Sequence, residues 1–150
     1  MPIDEKTPNF PGDPILKIKR HNVKKHKYGK TLGQKNIEPN LSDVKEGDIV
    51  FFFTSHSDRA YKSDYFENNP IITEKTAQKL IEKRISIVGL DSFTPDNEPY
   101  NVHKIFLKND VLIVENLIDL NKLSGKRFQC FIMPMKITDA DGAPCRVIGI

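Results

Sequence analysis

The sequence predicts an α/β fold, and three neighbouring segments carry that prediction. Ile49-Val50-Phe51-Phe52-Phe53-Thr54 is a continuous apolar run of strand length, the pattern of a strand covered on both faces. Glu74 to Arg84 places Ala77, Leu80 and Ile81 on one helical face. Ser86-Ile87-Val88-Gly89-Leu90 is a second short apolar run, so strand, helix and strand follow one another.

Each element has its own local reason. Val44-Lys45-Glu46-Gly47-Asp48 reads as a turn into the first of these strands, which the pattern places in the middle of a sheet. Thr73 is the expected N-cap of the helix, and basic Lys83 and Arg84 suit its last turn. Asp91 ends the following strand. Val102, Ile105 and Phe106 have helical spacing, Asn109-Asp110 signals a turn, and Val111-Leu112-Ile113-Val114 is a strand. Leu117, Leu120 and Leu123 predict a short helical turn stopped by Gly125. Phe128 to Met133 and Arg146 to Ile150 read as strands, joined by a polar hairpin turn over Asp139-Ala140-Asp141-Gly142-Ala143-Pro144. That turn lacks the ligand spacing of a calcium loop.

At 150 residues the chain fits a single domain, 1–150, able to bury roughly two thirds of its unfolded surface. No apolar run reaches the roughly 20 residues of a membrane helix, and the N-terminus has no hydrophobic stretch like that of a signal peptide; a cytoplasmic protein with no membrane association is expected. Cys130 and Cys145 have no C-x-x-C spacing and read as reduced, small apolar residues. Charge is split unevenly. Pro14 to Ile37 holds eight basic residues and no acid, +8, and the remainder is −5, which together give the net +3. One aromatic, Tyr28, lies in that stretch, so there is no stacking set for a nucleic acid; a solvated strand and loop is the preferred reading.

Two residues draw attention as chemistry. His103, in N-V-H-K-I-F-L, and Glu115, in V-L-I-V-E-N-L, are metal-ligand types in apolar local sequence, costly to bury unless paired or bound. The chain reverses between them. Running from His103 to Lys108 covers roughly 8 Å at the helical rise, and returning from Val111 to Glu115 covers roughly 13 Å at the strand rise, so the two side chains can reach a similar level. They could meet one metal or one substrate. By spacing alone the plainer reading is favoured: a helix-start histidine that caps or faces solvent, and a strand-end glutamate that caps a turn.

The motifs also form a series. G-D-I-V-F-F-F-T (47–54), N-N-P-I-I-T-E-K-T-A-Q-K-L (68–80), I-V-G-L-D-S (87–92), V-H-K-I-F-L (102–107), V-E-N-L-I-D-L (114–120) and M-P-M-K-I-T-D-A-D-G-A-P-C-R-V-I (133–148) together resemble the cyclase family of metal-dependent hydrolases, which includes kynurenine formamidase and isatin hydrolase. F-P-G-D-P-I-L-K-I-K-R (10–20), running on to Tyr28-Gly29, is similar to the start of that family and recasts the basic stretch as a strand and loop. The resemblance implies a swivelling β/β/α domain. It also implies a homo-oligomer, dimer or tetramer, in which zinc or manganese assists hydrolysis of an amide, formamide or lactam-like C–N bond in a small-molecule substrate. It makes Glu115 a carboxylate ligand, and His103 an imidazole ligand or a catalytic base beside the metal.

One part of the family pattern is missing. Before the G-D-I-V strand the family carries an H-x-G-T-H-x-D-x-P block that supplies most ligands, whereas this chain passes from Tyr28–Gln34 almost directly to Ile37–Leu41. The domain is therefore expected to be internally shortened and the hydrolase impaired, or else a non-catalytic remnant used for ligand binding or assembly. Met1-Pro2 matches a methionine-proline that lies inside the family pattern. A shortened paralogue, a faulty gene model and a dropped segment all fit. His21 and His26 lie among lysines that oppose a cation. His56, in T-S-H-S-D, is the candidate substrate-binding residue, with a surface-loop role preferred. Phe51, Phe52, Phe53, Tyr61, Tyr65 and Phe66 suit an aromatic or lactam-like substrate but are expected in the core.

Overall fold

The computed structural model describes residues 41–150 together with the backbone of two earlier strands. These are β1 (Lys19–Lys25) and β2 (Asn36–Ile37). They are followed by β3 (Ile49–Phe53), β4 (Ile71–Ile72), α1 (Glu74–Glu82), β5 (Ile87–Leu90), α2 (Asn101–Lys108), β6 (Leu112–Val114), β7 (Arg127–Pro134) and β8 (Cys145–Gly149). Short 3-10 turns stand at His56–Arg59 and Leu120–Leu123. The F-P-G-D-P turn, His26 and Tyr28–Gln34 lie outside the described residues.

A six-stranded sheet in the order β6-β5-β3-β1-β7-β8 organises these elements, and β2 pairs with β4 in a separate two-stranded sheet. Strands β6, β5, β3 and β1 run parallel, while β7 continues the sheet antiparallel to β1 and β8 antiparallel to β7. The continuous apolar run of β3 has the interior place expected for it, and all five of its residues are buried. Val50 and Phe52 point to one face, where Val88, Leu90, Ala77, Leu80, Val102 and Phe106 complete a core beneath α1 and α2. Ile49, Phe51 and Phe53 point to the other, against Leu117, Leu120, Phe128, Cys130 and Ile132. An alternating strand could fill only one of these cores, which is why β3 and β5 lack alternation. Gly89 admits the Phe51 ring: a Cβ built there would stand 2.5 Å from Phe51 Cδ1.

Several boundaries shift for physical reasons. Thr73 does cap α1, accepting from the Thr76 N–H at 3.1 Å. The helix ends at Glu82 rather than Arg84, because Arg84 turns to φ 52 and its N–H bonds Ile81 O at 2.8 Å, which sends the chain toward β5. The leucine segment closes as a 3-10 turn, with Gly125 at φ 78 just beyond it. The polar residues 139–144 do lie in the β7–β8 connection, whose base is closed by Met135 N–H to Pro144 O at 2.8 Å. Tyr61 and Phe66, expected in the core, are 103% and 71% exposed, since both fall on the turns after β3 rather than on an element facing the sheet. Among the described residues no helix is long and apolar enough to cross a membrane.

Candidate metal-ligand site

The chain leaves β3, β5 and β6 at the same, carboxyl end of the parallel sheet, the end at which open α/β sheets place their ligands. From β5 it enters Asp91-Ser92-Phe93-Thr94-Pro95-Asp96, a loop fastened from outside: Ile72 N–H bonds Pro95 O at 2.7 Å and Asn69 Nδ2 bonds Thr94 O at 2.8 Å. Thr94 Oγ1 closes it internally on Asp96 O at 2.9 Å. A second turn leads into α2, where Tyr100, at φ 60, precedes the helix without a side-chain cap. Asp96 fills that role, accepting the Val102 N–H on Oδ2 at 2.6 Å. A buried carboxylate at a helix N-terminus satisfies an otherwise orphaned donor and meets the favourable end of the helix dipole.

That anchorage aims the remaining Asp96 oxygen at His103. Oδ1 lies 2.5 Å from His103 Nδ1, and the opposite ring nitrogen, Nε2, lies 3.5 Å from Glu115 Oε1. Tyr100 stands edge-on to the imidazole, with centroids 5.7 Å apart. The helix-down, strand-up geometry expected from the sequence thus does bring His103 and Glu115 together. Burial pushes the Glu115 carboxyl above its ordinary range; the His103 ring opposes this shift by charge and hydrogen bonding, and the Asp96 charge adds to it. An open cleft of about 460 Å³ adjoins the site, lined by Phe93, Thr94, Asp96, Asn97, Glu98 and Tyr100. A larger cleft of about 690 Å³ lies elsewhere, around the Arg127–Asp48 ion pair, and holds no histidine.

A second constellation supports the first. Asp91, wholly buried, accepts from Thr54 N–H at 2.9 Å, Thr54 Oγ1 at 2.5 Å and His56 N–H at 3.1 Å, fixing the turn after β3 in which Ser55 takes φ 62. Burial raises the Asp91 carboxyl above its usual range, and the Thr54 hydrogen bonds pull the other way. His56 is not the surface residue its sequence context favours. It is 4% exposed, its ring stacks on Tyr65 at 4.6 Å, and its Nε2 donates to Tyr65 O at 2.9 Å. Tyr65 in turn donates to Asn116 Oδ1 at 3.2 Å, one residue beyond Glu115. Sequence reasoning missed Asp96 and Asn116 as site residues, and it named Tyr65 only among aromatics expected in the core, where it does lie at 7% exposure. Asp96 left a trace in the sequence, as an acid upstream of a helix that begins on a poor capping residue, Tyr100.

The donor set can be compared with a metal ion's demands. Two ligands of a tetrahedral zinc, each about 2.0–2.1 Å from the ion, stand roughly 3.3 Å apart, and the Nε2 to Oε1 separation is 3.5 Å. The pair therefore suits two corners of one coordination shell. Among the described residues no group of three or more His, Cys, Asp or Glu side chains could hold an ion, and catalytic zinc has three protein ligands. The described residues fit part of a metal centre and not a whole one.

Fold and site together define an α/β domain with a carboxylate-oriented histidine and a glutamate at the carboxyl end of its sheet. The chain belongs to the Cyclase family, whose model, described as "Putative cyclase", matches residues 4–97. That match stops short of His103 and Glu115, so their pairing stands on the geometry. The chain is 36% identical over 104 residues to an uncharacterized protein of Methanocaldococcus jannaschii, covering 69% of this chain and 54% of that protein. It is 29% identical over 113 residues to the kynurenine formamidase of Erythrobacter litoralis, covering 72% and 50%. The chain thus spans about half the length of these curated relatives. A solved isatin hydrolase, bound to the product analogue thioisatinate, shares the fold at TM-score 0.74 and 19% identity, over 88% of this chain and 59% of that one. The cyclase-like α/β fold expected from the motif series is the fold observed.

Proposed function

We propose that this chain carries part of the metal centre of a hydrolase that cleaves an amide, formamide or lactam-like C–N bond in a small molecule. His103 is an imidazole ligand, or a base beside the ion, and Glu115 is a carboxylate ligand of zinc or manganese. The observation that carries the reading is the approach of His103 Nε2 to Glu115 Oε1 at 3.5 Å at the carboxyl end of the parallel strands. The names of the relatives, kynurenine formamidase and isatin hydrolase, support the bond class. When bound, such an ion polarises a carbonyl and lowers the pKa of water. The chain's own residues hold the imidazole and the carboxylate in register and offer an aromatic-edged cleft beside them. Further donors come from outside the described residues or from a second subunit of a homo-oligomer.

A specific observation favours a second reading, a non-catalytic family member that binds a ligand or serves assembly. Neither an H-x-G-T-H-x-D-x-P block nor a third neighbouring donor among the described residues accompanies the pair. Metal analysis of the purified chain separates the two. The hydrolase reading expects bound zinc or manganese and cleavage of formylated anilines. Less than about a tenth of an equivalent of metal after reconstitution, with no cleavage, sinks it.

A further inference from the structure

We infer that Asp96 is the positioning residue of this site: it holds a proton of His103 on Nδ1, so that Nε2 is the ring atom presented to Glu115 and to any ion bound between them. The inference deepens the metal-site reading above and rests on it. Asp96 is buried and uses both oxygens as acceptors, Oδ2 for the Val102 N–H at 2.6 Å and Oδ1 toward the ring at 2.5 Å. An ionised carboxylate has no proton to give, so the ring nitrogen facing it must be the donor. The Val102 contact sets the carboxylate plane from the α2 backbone, and the 93–96 loop is itself held by Asn69 and Ile72. Tyr100, edge-on at 5.7 Å, flanks the ring as well. Ring orientation and the Nδ1 proton are thus dictated by the helix terminus, before any ion arrives. Outer carboxylates of this kind govern how well a histidine serves as a ligand.

Asp96→Asn tests this because it separates the two jobs. Asparagine caps helices as well as aspartate does, so its one oxygen keeps the Val102 N–H and the fold survives. Its amide NH2 then faces Nδ1, which forces Nδ1 to accept and moves the ring proton to Nε2, toward Glu115. Nitrogen-15 spectra of the metal-free full chain, at one fixed pH, read the ring directly, the His103 signals being those absent from His103→Ala. The wild type is expected to show a protonated Nδ1, and Asp96→Asn an unprotonated one, with Co2+ affinity lowered roughly 10- to 100-fold. Unchanged ring signals and unchanged Co2+ affinity in Asp96→Asn overturn the proposal. An unprotonated Nδ1 in the wild type overturns it even where the variant fails to fold. A wild type that binds no Co2+, yet whose ring proton moves in Asp96→Asn, refutes the metal-site reading and leaves the positioning role of Asp96 standing.

Discussion

Tyr65 and Asn116 are 51 residues apart in sequence, yet the tyrosine hydroxyl donates to the asparagine Oδ1 at 3.2 Å and ties the turns after β3 to the end of β6. The same tyrosine stacks on His56 and receives its Nε2 proton on the backbone carbonyl. Asn116 in turn bonds Ser92 O through its N–H at 2.9 Å, so the segment carrying Glu115 is held from two directions.

Tyr65→Phe removes one hydroxyl from this link and leaves the stacking intact. The expected loss is about 1 kcal/mol of unfolding free energy, the usual worth of a single neutral hydrogen bond. Urea titration of both proteins measures it. A variant as stable as the parent would mean that the Asn116 contact contributes nothing.

Asp91 gives the chain an acid-side stability gradient. Burial raises its folded-state pKa above the ordinary 3.8, so the folded protein keeps the proton to higher pH than the unfolded chain does. Folding stability is then fully present below the ordinary value and declines as pH climbs from it toward the raised one. Glu115 adds a gradient of the same sign, softened by its partial exposure. Asp91→Asn cannot ionise and should flatten most of the slope. It should also cost about 1–3 kcal/mol at low pH, because its NH2 confronts a donor from Thr54 or His56. Denaturant midpoints across a pH series provide the check, and an undiminished slope would count against Asp91 as its source.

Gly89→Ala should destabilise the sheet. A Cβ there meets Phe51 Cδ1 at 2.5 Å and Leu117 Cδ1 at 2.9 Å, and both side chains are packed into the core on that face. Overpacking of this kind costs about 1–3 kcal/mol. Thermal or urea unfolding that matched the parent would show that the Phe51 ring can move aside without loss.

Elements with strong local signals were legible in the sequence. The unbroken apolar runs of β3 and β5 announced burial on both faces, and the Thr73 cap with Ala77 and Leu80 announced α1. The His103–Glu115 approach could be reasoned out because a helix and a strand of known rise connect the two. Partners fixed by tertiary contact could not be read in this way. Asp96 reaches His103 only because a loop held by Asn69 and Ile72 folds back over the start of α2. His56 looked exposed because its neighbours Ser55, Ser57 and Asp58 are polar; its burial is decided by Tyr65 and Phe93, which arrive from other parts of the chain.

The position of β1 divides the sheet into two construction units. On one side stand β3, β5 and β6, joined by α1, α2 and their short connections; on the other stands the β7–β8 hairpin. Within the six-stranded ladder they meet only through Lys19–Lys25, which pairs in parallel with β3 and antiparallel with β7. The earliest of the described strands of that sheet is thus the one that seals it, and its partners at Arg127–Cys130 are synthesised more than a hundred residues later. Until then the edge of β1 turned away from β3 has no neighbour within the ladder. A deletion reaching into Lys19–Lys25 would therefore act as a split of the whole sheet rather than the trimming of an end.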